Sequence, residues 1–290
     1  MSPFILVSPA TRGLSLALIR HYLCTTSLPV FGTYRPTPSA SSEPPRTPES
    51  VREHILRPLQ EAGHDIDSAR LRVLPLDLMS EDSIAAAADE LARTLIELYG
   101  SEARAYVRIA FFLGGMLFPE RQPGNLVLEQ LLDTFKLNTI SHMLLIKHFS
   151  RFLPPPLRSG TARAESGDNL NPETESGTLA KWVHVSARVG SISDNQLGGW
   201  YSYRASKAAL NQVIRTFDLH LQAKKLPAIC VGVHPGTVKT DFSRAFWAGV
   251  PAGKLFEPEF AAGKLAEVVQ RLGAAQRGRI WDWKGDEVKP

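Results

Sequence analysis

Short apolar runs bounded by turn residues alternate along this chain with longer segments of helical apolar spacing, and that alternation restricts the fold more than any other feature. Residues 4–7 (FILV) read as a first strand, 14–23 as a helix and 29–34 (PVFGTY) as a second strand. A helix around 51–62 leads to a third strand at 70–76, and Ser80, followed by Asp82 and a run of alanines, opens a capped helix ending near Gly100. Residues 106–113 read as the fourth strand, 126–152 as a long helix with a break near its start, and 182–186 (WVHVS) as the fifth strand. A helix bearing Tyr203 and Lys207, a sixth strand at 228–234, a helix near 258–272 and a short strand at 279–283 complete the series. Strands separated by helices pair in parallel with helices on both faces, so the expected class is α/β, a doubly wound parallel sheet in three α/β/α layers (Rossmann fold). Ligands of such sheets bind beyond the carboxyl ends of the strands, where the strand order reverses.

At 290 residues and 43% apolar content, the chain suffices for one domain over 1–290. Two Pro- and Ser-containing stretches without periodicity, near 36–50 and 154–178, read as exposed insertions. Lysine and arginine total 33 against 29 acidic residues and are scattered, so nucleic acid is not an expected partner. No segment approaches the ~18 continuous apolar residues of a spanning helix, and the run at 4–7 is too short for a signal peptide. The expectation is a soluble, cytoplasmic protein with no membrane partner. Cys24 and Cys230 lie in apolar stretches and read as two buried small hydrophobes. The eight histidines lack metal-ligand spacing, so no metal is expected, and His184 and His234 read as satisfied structural histidines.

The stretch GGWYSYRASKAALNQ (198–212) places Tyr203 four residues before Lys207, on one helix face. A phenol with an ordinary pKa of ~10 exchanges protons poorly at neutral pH unless something favours its anion. A neighbouring ammonium is expected to do so. The bland alternative is an exposed lysine and a half-buried tyrosine on an amphipathic helix.

The segments VGSISDNQLGGWYSYRASKAALN and GRIWDWKGDE, with YRASK at the head of a helix after the fifth strand, resemble the short-chain dehydrogenase/reductase family, most of all its carbonyl-reductase-like branch. The resemblance spans nearly the whole chain. It implies that Tyr203 is the acid/base, that Lys207 supports it and bonds the nicotinamide ribose, and that Asn138 supports the lysine through a water relay. It also implies cofactor contacts from Pro235, Gly236 and Thr240 in HPGTVKTD and from Asp77 in LPLDLMSED. Two departures stand out. The family's carbonyl-polarising serine aligns with Ala187, leaving Ser186, one residue earlier, as the nominal third catalytic member. The asparagines expected after the fourth strand are replaced by Phe112, Leu113, Gly114 and Gly115.

The phosphate loop keeps only its middle glycine, Gly13, with Arg12 before it and Ser15 offering a hydroxyl; Gly13 opens a helix after the first strand, as pyrophosphate binding requires. Arg12 and Arg35, the latter at the end of strand two, favour NADP(H) over NAD(H). Phe246 and Trp247, within 242–256, occupy the substrate-lid position. The resemblance thus implies an NADP(H)-dependent oxidoreductase interconverting an apolar carbonyl and its alcohol. The alternative is a catalytically impaired dinucleotide-binding regulatory or scaffold protein. The helices at 126–152 and 203–221 form dimer bundles in many family members, making a homodimer one expected assembly.

Overall fold

The computed structural model describes residues 2–37, 45–101, 104–156 and 179–290. The first βαβ unit runs β1 (Ser2–Ser8), α1 (Gly13–Thr25), β2 (Val30–Tyr34). Next come α2 (Pro48–Glu61), β3 (Leu71–Pro75), α3 (Glu81–Tyr99) and β4 (Ala105–Phe112). Helix α4 (Leu128–Phe135) passes through a π turn at Lys136–Ile140 into α5 (Ser141–Phe149). Strand β5 (Ala180–Val185), α6 (Tyr201–Ala223) and β6 (Ala228–His234) follow. Two-residue strands β7 (Thr237–Val238) and β8 (Leu255–Phe256) pair separately, and α7 (Pro258–Arg271), β9 (Ile280–Asp282) and β10 (Glu287–Val288) end the chain.

The main sheet has the order β10-β9-β6-β5-β4-β1-β2-β3, every neighbour parallel except β9 with β10. Strand order reverses between β1 and β4, so the crevice at their carboxyl ends is the expected ligand position. Alternation along β1 sends Phe4 and Leu6 into one core layer and Ile5 and Val7 into the other. The first layer packs beneath α3, α5 and α6, the second beneath α1, α2 and α7. Burial on both faces explains why these strands read as continuous apolar runs.

Each expected major strand and helix is present, with ends shifted by at most three residues. The interruption expected near the start of 126–152 lies instead at its middle, as the π turn that carries Asn138. Strands β7, β8 and β10 were not foreseen, because two-residue strands have no readable period. Cys230 is buried, but Cys24 is exposed near the end of α1, contrary to expectation: its helical position faces away from the sheet. The expected insertions fall largely on 38–44 and 157–178, outside the described residues. No helix among the described residues is long and apolar enough to cross a membrane, and none of their His, Cys, Asp and Glu side chains cluster in a group able to hold a metal ion.

Candidate active site

Tyr203 and Lys207 lie one turn apart on α6, only 7% and 3% exposed, with Lys207 Nζ 5.8 Å from the centre of the tyrosine ring. Gly190, in the turn after β5, allows this depth: a Cβ there would come within 2.8 Å of the Lys207 carbonyl carbon. With the turn pressed against the helix, Lys207 Nζ donates to Val185 O at 2.9 Å.

Burial governs the electrostatics of the pair. It pushes the Tyr203 phenol up and pulls Lys207 down from its ordinary 10.5 to about 7. In the protein alone the phenol is therefore harder to ionise than in water, because desolvation penalises the charged form of each group.

Asn138 is fully buried in the π turn, a distortion that often marks functional positions. Its Oδ1 accepts from Met116 N at 2.7 Å, and its Nδ2 donates to Met116 O at 2.9 Å and Ser206 Oγ at 3.0 Å. Ser206 Oγ in turn donates to Tyr203 O at 2.9 Å, tying the asparagine to α6. Gly115 lies between Asn138 and Lys207: a Cβ there would sit 3.5 Å from Asn138 Oδ1 and 3.7 Å from Lys207 Nζ. The fold thus brings Tyr203, Lys207 and Asn138 together.

The Ser186 hydroxyl is engaged by a different partner. Strand β5 ends at Val185, and the Ser186 hydroxyl donates to Asn211 Oδ1 at 2.6 Å, one turn beyond Lys207 on α6. Ala187 follows in extended conformation with no polar atom to offer from its side chain. Ser191 is buried, and its Oγ accepts from Asp194 N at 3.1 Å.

The cofactor side centres on α1. Helix α2 has a Thr47–Ser50 capping box and α3 a Ser80 cap, whereas α1 begins after extended Arg12 with neither a side-chain cap nor an acid in its first turn. Its free N–H groups point from the carboxyl end of β1 and fit a pyrophosphate. Gly13 has φ +52°, and a Cβ there would come within 2.8 Å of Thr240 Cγ2, so the loops after β1 and β6 meet at this glycine. Ser15 Oγ donates to Arg12 O at 2.8 Å, which occupies the hydroxyl proton suggested for phosphate. Arg35 Nε and Asp77 Oδ2 form an ion pair at 3.3 Å between the ends of β2 and β3, and Asp77 Oδ1 accepts from Met79 N at 2.9 Å. Gly236, after Pro235, has φ +76° and packs on Phe256, where a Cβ would come within 2.6 Å of the ring.

Trp200 and Glu120 were not legible as site residues in the sequence. Trp200 adopts φ +51°, rare for a bulky residue, and its N–H donates to Glu120 O at 2.6 Å. Its ring lies 4.8 Å from Phe246 and 6.2 Å from Tyr203, while Phe242 lies 6.0 Å from Tyr203, centre to centre. Trp200 and Phe242 thus pack around the ring of Tyr203, with Phe246 behind Trp200. Glu120 is buried; its Oε1 accepts from Ser202 Oγ, and its Oε2 has no hydrogen-bond partner among the described residues. His184 is satisfied by hydrogen bonds, whereas His234 Nδ1 is buried without a partner among the described residues, contrary to the expectation for that residue.

No family model matches the chain. Over 117 residues it is 37% identical to C-signal of Myxococcus xanthus, a match covering 40% of this chain and 65% of that protein. Over 220 residues it is 30% identical to 1-hydroxy-2-glutathionyl-2-methyl-3-butene dehydrogenase of Rhodococcus sp. (strain AD45), covering 75% of this chain and 80% of that one. The fold superposes on NADPH-bound carbonyl reductase from chicken fatty liver with a TM-score of 0.71, at 23% identity, covering 100% of this chain and 99% of that one. With that sheet order, and with a dehydrogenase related over four-fifths of its own length, the chain belongs to the short-chain dehydrogenase/reductase family.

Proposed function

We propose that this protein is an NADP(H)-dependent oxidoreductase that interconverts an apolar, ring-bearing carbonyl compound and its alcohol. The observation that carries the reading is the burial of Tyr203 and Lys207 side by side, among aromatic rings and close to Asn138. The dinucleotide fits the uncapped α1 N-terminus, with Gly13, Thr240, Pro235 and Gly236 along its path and Arg35, held by Asp77, offered to a ribose phosphate. When bound it would supply or accept hydride. Tyr203 donates its phenolic proton to the carbonyl oxygen in reduction and takes it back in oxidation. Protonated Lys207 stabilises the phenolate formed during reduction, worth more in this dry site than in water. Asn138 holds Met116 and, through Ser206, the start of α6, so the phenol keeps its place. Trp200, Phe242 and Phe246 exclude water and favour a flat apolar substrate.

The test is NADPH consumption with a panel of aryl and alkyl ketones and aldehydes. Tyr203→Phe should bind NADPH normally and lose roughly 10²–10⁴-fold in kcat. Turnover that survives the substitution removes the assignment. The position of Ser186, turned to Asn211, favours a second reading: a dinucleotide-binding protein without turnover. NADPH binding with no activity on any substrate would support it. The expected homodimer would cover the exposed Leu128, Leu132, Ile140 and Met143, and sedimentation velocity decides that point.

A further inference from the structure

A second buried polar assembly lies beside Asn138. Trp182 and His184 are two residues apart on β5, so both face α5, where His142 is wholly buried. Trp182 Nε1 is 3.1 Å from His184 Nε2, the two Nδ1 atoms of His184 and His142 are 2.8 Å apart, and His142 Nε2 is 3.0 Å from Gly114 O. The ends of this chain fix every proton in it. An indole N–H only donates and a carbonyl oxygen only accepts. His184 Nε2 must therefore accept from Trp182, leaving its Nδ1–H to donate to His142 Nδ1, and His142 Nε2–H donates to Gly114 O. A further proton on either ring would set two donors against each other. Burial acts in the same sense, pushing His142 down to about 3 and His184 well below its ordinary range.

His142 follows Asn138 by one turn, so one continuous helical path grips the loop after β4 at two points: Met116 through Asn138 and Gly114 through His142. Between them is Gly115, with Lys207 Nζ 3.7 Å from where its Cβ would stand. This wall is bare backbone and has no side chains at Gly114 and Gly115 with which to anchor itself. We propose that His142 and His184 are positioning residues of the site: a neutral imidazole pair in opposite tautomers that holds the Gly114–Met116 backbone beside Lys207 and so shapes the wall against which the dinucleotide binds. The role in binding rests on the function proposed above; the tautomers do not.

Imidazole ¹⁵N spectra of the wild-type protein at neutral pH should show His184 as the Nδ1–H form and His142 as the Nε2–H form. The reverse assignment, or a charged ring, overturns the proposal. NADPH titration then compares the wild type with His142→Phe, which keeps a ring without nitrogens, and His142→Gln, which restores a donor and an acceptor. The phenylalanine variant should bind NADPH about tenfold more weakly and the glutamine variant should recover most of the loss. Should His142→Phe fail to fold, His184→Phe replaces it, with the same expectation. Wild-type affinity in a folded phenylalanine variant overturns the positioning role alone. A wild type that does not bind NADPH removes the function proposed above, while the spectra still decide the tautomers.

Discussion

At Lys207, burial sets both stability and chemistry. The amine titrates at about 7 in the folded protein and at 10.5 ordinarily, so between these values the unfolded chain binds more protons. Stability contributed by this group therefore rises with pH from about 7 to about 10 and is level below that window. The urea midpoint of the wild type should climb between pH 7 and 9.5, and Lys207→Met should lose that part of the climb. The same titration predicts that kcat/KM for ketone reduction falls as pH rises through about 7, where the ammonium that stabilises the phenolate is lost. Lys207→Arg, which stays charged, should flatten that limb. Ser186 gives the opposite outcome: with its hydroxyl committed to Asn211, Ser186→Ala should cost about 1 kcal/mol in chemical denaturation and leave kcat within a factor of a few.

At the scale of elements, the site depends on how closely loops approach helices. Gly190→Ala would drive a methyl into the Lys207 backbone, and overpacking of this kind costs about 1–3 kcal/mol. It should also lower kcat by moving α6, whereas Ser80→Ala, which removes the α3 cap, should cost about 1 kcal/mol in a urea titration and leave kcat unchanged. The capped start of α3 was legible as Ser80 before an alanine-rich run. The π turn around Asn138 was not legible, since one extra residue in a helical turn leaves no trace in apolar spacing.

Across the whole molecule, α6 is fastened to the far half of the sheet by Asp218, which is fully buried. Its carboxylate meets Arg277 Nε at 2.9 Å and accepts from Cys230 N at 3.0 Å. Asp218→Ala strands Arg277 and should cost roughly 3 kcal/mol or more, read as a shift in the denaturation midpoint. Local periodicity and turn chemistry determined the alternating elements and hence the parallel sheet, because both act between residues near in sequence. The Tyr203–Lys207 pairing was equally legible, since four residues make one helical turn. Only the tertiary structure decided that desolvation outweighs the attraction between them, that Ser186 turns to Asn211, and that Arg35 pairs with Asp77. The same holds for the Trp182, His184, His142 and Gly114 chain, whose members come from β5, α5 and the loop after β4. Each of these depends on distances between segments far apart along the chain, and no local pattern encodes them.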